Sequence, residues 1–156
     1  MAKELSIGDK APAFTLPIDG DKNISLAQFA GKPIVLYFYP KDDTSGCTRE
    51  AIDFTAAAKA FAKLNCVVIG CSRDTVAQHD KFKAKHALAV TLVSDVEGKL
   101  CEAYGVWVEK SMYGRKYMGI ERATYLIDDK GRINHIWRKV KVPGHVAEVL
   151  NSVSSL

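Results

Sequence analysis

Two charge-free apolar runs narrow the folds open to this chain more than anything else in it: Ile34-Val35-Leu36-Tyr37-Phe38 and Cys66-Val67-Val68-Ile69-Gly70-Cys71-Ser72. Each is short, β-branched or aromatic, and unrelieved by polar positions, the pattern of a strand buried on both faces. Between them lies the alanine-rich stretch 51–64, which reads as a helix continuing from about residue 47 to 65. Strand, helix, strand is a parallel pair with a right-handed crossover. Such a pair needs cover on both faces, and the rest of the chain has to supply it.

The flanking segments fit that requirement. Residues 8–17 carry Pro12 and Pro17 and suit an edge hairpin better than a central strand, with a turn at Asp19-Gly20-Asp21-Lys22 and a return through Asn23-Ile24-Ser25. Ser25 can cap a short helix that stops at Gly31. Asp74 or Thr75 can cap a helix reaching His86, and Val90-Thr91-Leu92-Val93-Ser94 makes a third strand. A short helix over 97–104 ends at Gly105, and 106–117 is a strand-bearing excursion without firm assignment. Residues 122–127 and 132–137 around Asp128-Asp129-Lys130-Gly131 form a hairpin. Pro143 suits the first turn of a closing helix whose Val146, Val149, Leu150 and Val153 recur at helical spacing. The expected architecture is α/β, a mixed central sheet flanked by helices with an N-terminal β-hairpin extension, in an order that resembles the thioredoxin fold.

At 156 residues the chain reads as a single domain spanning 1–156. No apolar stretch approaches the roughly 20 residues that span a bilayer, and the start lacks a secretory core, so a cytoplasmic location is expected with no membrane partner. The net charge of +4 is spread along the chain, and the one basic cluster, Arg138-Lys139-Val140-Lys141, reads as solvated surface rather than a nucleic-acid site. Four cysteines without dense spacing suit free thiols rather than a disulfide framework. His79, His86, His135 and His145 lack ligand spacing and carboxylate partners in the sequence, so no metal or cofactor is expected.

Chemistry concentrates in Tyr39-Pro-Lys-Asp-Asp-Thr-Ser-Gly-Cys-Thr-Arg-Glu50, where a strand hands over to a helix. Cys47 falls at the start of that helix, facing unpaired N–H groups and the positive end of the helix dipole, which favour thiolate over thiol. An ordinary cysteine is only about 3% thiolate at neutral pH, so full ionisation raises the nucleophile population at most ~30-fold. Further acceleration has to come from donors that stabilise charge on the leaving atom. The Thr44 hydroxyl, the backbone N–H groups around Gly46 and a distant arginine are candidates. Gly46 permits close approach of a small ligand, and Pro40 removes a competing donor at the loop's exit.

The run from Pro40 through Thr44 to Cys47 matches the active-site pattern of the peroxiredoxins. With Gly70-Cys-Ser-Arg-Asp74, Ser94-Asp95 and the segment 119–128, the chain resembles the bacterioferritin comigratory protein, or Q-type, branch over about 8–150. The resemblance implies a thiol-dependent peroxidase acting on hydrogen peroxide and organic hydroperoxides. It assigns Cys47 as the peroxidatic nucleophile, Thr44 as a donor to the peroxide, Arg122 as stabiliser of thiolate and transition state, and Pro40 as a shield. It also implies a monomer and needs no cofactor.

Two departures stand out. Ser45 replaces the family's proline, which could loosen the first turn while offering a cap. The position five residues past Cys47, where many members carry a resolving cysteine, is Ile52, and the alternative near Phe82 and Lys83 holds no cysteine either. The expectation is one-cysteine behaviour, with the sulfenic acid reduced by an external thiol such as thioredoxin, glutaredoxin or glutathione. Cys101 remains open as an unexpected resolving thiol, and a non-enzymatic peroxide sensor or redox relay remains the alternative function. Cys66 and Cys71, on opposite faces of one strand, read as structural. A dithiol oxidoreductase is disfavoured because the residue three past Cys47 is Glu50. Glu50 and Arg49 read as exposed helix charges, with pairing to Arg122 left open, and the competing reading of Arg122 is a surface ion pair with Glu121.

Overall fold

The computed structural model describes residues 4–20 and 22–156. The chain runs β1 (Thr15–Ile18), β2 (Lys22–Ser25), a 3₁₀ turn (Leu26–Phe29), β3 (Ile34–Phe38), α1 (Ser45–Ala56), α2 (Ala58–Lys63) and β4 (Val67–Ser72). It continues through α3 (Val76–His86), β5 (Thr91–Ser94), α4 (Lys99–Ala103), β6 (Trp107–Met112), β7 (Arg115–Ile120), β8 (Ala123–Ile127), β9 (Ile133–Trp137) and α5 (His145–Ser154). Seven strands form one sheet in the order β2-β1-β5-β4-β3-β8-β9. The β3, β4 and β5 strands are parallel, and β8, β9, β1 and β2 join antiparallel at the two sides. This is the mixed, thioredoxin-like α/β sheet, with the β1–β2 hairpin added at one edge.

Period-two alternation along β3 sorts its side chains into two cores. Leu36 and Phe38 join Ile69, Cys71, Val93, Tyr125 and the α4 residues Leu100 and Cys101 on one face. Val35 and Tyr37 join Phe54, Phe61, Phe82, Val149 and Cys47 on the other. Every residue of β3 is buried, as a central strand covered on both sides requires. Placing a Phe such as Phe54 at 0% exposure contributes about 1.5–3 kcal/mol by area, so the helical layer is held chiefly by these aromatic contacts.

Several boundaries differ from the sequence reading. Only Thr15–Ile18 of the N-terminal segment enters the hairpin; residues 8–11 instead lie along the start of β9, through Gly8 N to Ile133 O and Ala11 N to Gly131 O. Asp21, within the expected turn, lies outside the described residues. The helix expected over 47–65 begins at Ser45 and divides at Ala57, whose φ of −92° and ψ of 3° leave the helical region. Just ahead of the division, the Thr55 hydroxyl accepts from the Ala89 N–H at 3.0 Å. Thr75 is the cap of α3, accepting from Gln78 N at 3.2 Å. Gly144 rather than Pro143 adjoins α5, in a left-handed conformation that proline cannot adopt. The unassigned excursion resolves into a separate two-stranded sheet, β6 with β7, turning through Tyr113 and Gly114. No helix among the described residues is long and apolar enough to cross a membrane.

Candidate active site

Tyr39 continues β3 past its end by donating its N–H to Cys71 O, and Pro40 then ends the pairing because it has no N–H to give. The chain crosses to α1 through Lys41, Asp42 and Asp43. Asp43 holds φ at 61°, a left-handed conformation costing a non-glycine residue on the order of 1 kcal/mol. Surrounding contacts hold that conformation in place: Asp43 takes Lys85 Nζ at 2.6 Å and His86 Nε2 at 2.8 Å, and both partners lie on α3. The two neighbours hold the Asp43 carboxyl below the usual carboxylate range, their hydrogen bonds being the main cause.

Thr44 is the N-cap of α1, extended at φ −90° and ψ 157°, and Ser45 is the first helical residue. The capping role considered for Ser45 thus falls one residue earlier, at Thr44. The Thr44 hydroxyl nevertheless caps no amide; it donates to Lys41 O at 2.9 Å and must rotate off that carbonyl to donate to a ligand. The first-turn N–H groups around Cys47 therefore receive no side-chain cap from Thr44.

Cys47 is 1% exposed in that first turn. Arg122, between β7 and β8, donates from Nη2 to Cys47 Sγ at 3.3 Å and from Nη1 to Glu50 Oε1 at 2.7 Å. Cys47 and Glu50 are three apart on one helix, hence on one face, so a single guanidinium can bridge both. Burial opposes the Arg122 charge, but Glu50 and Cys47 outweigh it and raise its pKa. Glu50 is fully buried rather than an exposed helix charge, because its helix face turns into the sheet. Burial lifts its carboxyl to about 7 in spite of Arg122. Glu121 is occupied elsewhere, accepting from Arg138 Nε at 2.6 Å, so the competing pair with Arg122 does not form. The i, i+3 spacing of Cys47 and Glu50 was the sequence signal for this bridge.

Gly46 also makes room for a neighbouring side chain. A Cβ at that position would sit 3.0 Å from Arg122 Nη2, so the glycine admits the arginine itself. Beneath the site Tyr37 stacks on Phe54 at 4.6 Å, and Gly70 makes room for it, since a Cβ there would meet Tyr37 Cζ at 2.7 Å. Among the described residues, Tyr37 Oη and Glu50 Oε2 are buried without a hydrogen-bond partner. Pro40 is half-buried and borders a groove of ≈ 520 Å³ whose walls include Trp107, Lys110 and Ile120. Partial burial and the Arg122 charge hold the Lys110 ammonium below its usual range.

The other thiols stand apart from Cys47. Cys71 and Cys101 lie in the opposite core, across the sheet, with a carboxylate oxygen of Asp95 grouped beside them within 4.8 Å. That carboxylate accepts from Leu100 N and Cys101 N at 3.2 and 2.8 Å and so caps α4. Cys66 shares the Cys47 core but precedes β4 beside the start of β3, whereas Cys47 lies beyond the end of β3, roughly 16 Å of strand away. Burial pushes the Cys66 thiol up to about 12 and raises Cys71 as well, leaving both poor nucleophiles. Two histidines do have carboxylate partners: His79 Nδ1 lies 2.6 Å from Asp42, and His86 pairs with Asp43. Those partners come from a loop some 40 positions earlier, beyond the reach of spacing rules.

The chain matches the AhpC/TSA family over residues 7–136. It is 50% identical to peroxiredoxin Bcp of Bacillus subtilis over 152 residues, covering 97% of each chain. Its fold superposes on PrxQ of Xylella fastidiosa, solved as a cysteine-to-serine mutant, with a TM-score of 0.93, 40% identity and coverage of 99% of this chain and 98% of the other. It also matches the bacterioferritin comigratory protein of Xanthomonas campestris, whose structures bear on alkyl peroxide reduction, with a TM-score of 0.87, 44% identity and coverage of 91% and 90%.

Proposed function

This chain belongs to the AhpC/TSA family, as a peroxiredoxin of the Bcp or Q type and hence a thiol-dependent peroxidase, and from that premise we propose that Cys47 is its peroxidatic nucleophile. The Cys47 thiolate attacks the terminal peroxide oxygen; an S–O bond forms, the O–O bond breaks, and the leaving hydroxide or alkoxide departs as water or alcohol after taking a proton. Cys47 becomes a sulfenic acid. Arg122 donates to the thiolate and to the oxygen on which charge grows, Glu50 orients it, Thr44 meets the peroxide at the head of α1, and Pro40 shields the pocket. Hydrogen peroxide and organic hydroperoxides are the substrates, the latter in keeping with the alkyl peroxide reduction named for the Xanthomonas relative.

The observation that carries this reading is the convergence of Arg122 on Cys47 Sγ at 3.3 Å and on buried Glu50 at 2.7 Å. We propose one-cysteine turnover, supported by the placement of Cys71 and Cys101 across the sheet and of Cys66 at its far end. The sulfenic acid is then reduced by an external thiol, thioredoxin, glutaredoxin or glutathione. The molecule works as a cytoplasmic monomer, one domain over 1–156. Stopped-flow peroxide consumption with each thiol supplied tests the assignment: wild type turns over and Cys47→Ser does not, whereas equal rates would overturn it.

A further inference from the structure

The loop carrying Pro40, Thr44 and the entry to Cys47 is gripped from one side by a buried histidine with no place in the chemistry above. His79, on α3, is 0% exposed. Its Nδ1 lies 2.6 Å from Asp42 Oδ2 and its Nε2 lies 3.0 Å from the Val93 carbonyl oxygen. A carbonyl oxygen can only accept, so Nε2 carries a proton. If Asp42 is ionised it too can only accept, and then Nδ1 also carries one. Asp42 Oδ1 accepts from Tyr39 Oη at 2.6 Å, so each of its oxygens already faces a donor-bearing group.

The groups facing the ring come from three directions. Asp42 approaches from the loop, Val93 O from β5, and Asp74, which follows β4, lies with Asp42 and His79 in one cluster whose ligating atoms fall within 4.8 Å. Asp74 Oδ2 in turn accepts from Asp42 N at 2.9 Å and Ser72 Oγ at 2.6 Å. Two carboxylates thus surround one imidazole, an arrangement completed by a cation. A shared proton fits better than a bound metal. Two ligand atoms at about 2.0–2.2 Å from one zinc ion at tetrahedral angles stand about 3 Å or more apart, wider than the 2.6 Å seen here.

We propose that His79 is a buried imidazolium and a positioning residue of the peroxidatic reaction: it pins Asp42, and through Asp42 the stretch leading to Thr44 and Cys47. Asp42 lies between the end of β3 and the head of α1, and its neighbour Asp43 is held in a left-handed conformation by the same helix. Without the His79 hydrogen bond, no other side chain of α3 grips Asp42, and the approach of Thr44 and the first-turn N–H groups to a peroxide loosens. The proposal rests on Cys47 being the peroxidatic residue, which Cys47→Ser tests separately.

The first arm of the test uses unmodified protein and does not depend on the reaction. In ¹⁵N-labelled wild type at pH 7, with the His79 ring assigned through its own backbone, both ring nitrogens are expected to show bonded protons; a neutral ring would overturn the proposal. The second arm is kinetic, with Asp42→Asn and His79→Gln measured singly and together after thermal melts establish folding. Each single variant is expected to slow hydrogen peroxide attack on Cys47 by roughly 10- to 100-fold, and the double variant to be no slower than the slower single. Reduction of the sulfenic acid by dithiothreitol should keep its wild-type rate. Multiplicative losses in the double variant, unchanged attack rates, or equal loss in both half-reactions would each overturn the positioning role. If His79→Gln does not fold, Asp42→Asn and the wild-type spectrum still decide.

Discussion

At the scale of single residues the site depends on close approaches that leave little tolerance. Gly46→Ala places a Cβ 3.0 Å from Arg122 Nη2 in a helix where alanine is intrinsically better by about 0.5–1 kcal/mol. The expected outcome is a protein no less stable to urea whose second-order rate with peroxide drops roughly tenfold, because the guanidinium is pushed off Cys47. A rate unchanged in stopped flow would show that this contact does not matter. Glu50 makes the pH argument. Its folded-state value, lifted to about 7 by burial, exceeds the ordinary 4.5, so its contribution to stability is full below about 4.5 and is lost as pH rises through 7. Glu50→Gln cannot ionise and escapes that loss. Relative to wild type it should gain up to about 3 kcal/mol between pH 4.5 and pH 8 in urea titrations; a pH-independent difference would contradict the assignment. Cys47, Thr44, Pro40 and Arg122 were visible in the sequence through their pattern. Glu50 reads from sequence as an exposed charge with its pairing to Arg122 left open, and His79 as lacking a carboxylate partner, because burial of a charge and a contact across 37 positions are decided by tertiary packing.

At the scale of elements, legibility follows burial. The β3 and β4 strands could be read directly because each is apolar through most of its length, which only a central strand tolerates. The β6–β7 hairpin escaped assignment because it stands as its own two-stranded sheet with most side chains exposed, so no alternation of polar and apolar residues marks it. Its turn is a two-residue loop with φ of 51° at Tyr113 and 78° at Gly114, the I′ pattern that prefers Asn-Gly. Tyr113→Asn relieves the left-handed tyrosine and should raise the unfolding free energy by about 0.5–1 kcal/mol without changing peroxidase turnover. A lower melting temperature would show that the Tyr113 side chain, 99% exposed here, has a role this geometry does not reveal. The division of α1 from α2 at Ala57 was hidden for the opposite reason: a run of alanines promises a continuous helix whatever its neighbours ask of it.

At the scale of the whole molecule, the sheet is a partition. Cys47 lies in one core with Arg122 and Glu50 bridged at its end, while Cys71 and Cys101 are sealed into the other. That separation supports the proposed reduction by a thiol from outside. The helical core also carries a global pH signature in His145, which donates or accepts with Thr124 at 2.8 Å and packs edge-on against Phe54 and Trp137. Burial lowers its ring to about 4 from 6.5, so the stability it contributes is present above 6.5 and is lost as pH falls toward 4. Replacing it with asparagine should flatten that limb of the stability curve, and an unaltered limb would assign the loss to other groups. Intact and peptide mass spectrometry after one equivalent of hydrogen peroxide tests most directly the proposal that Cys47 alone meets the peroxide and waits for an external thiol. A trappable sulfenic acid on Cys47 and no new disulfide are expected; a quantitative intramolecular disulfide, such as Cys47 to Cys101, or an unmodified Cys47 would contradict the one-cysteine proposal.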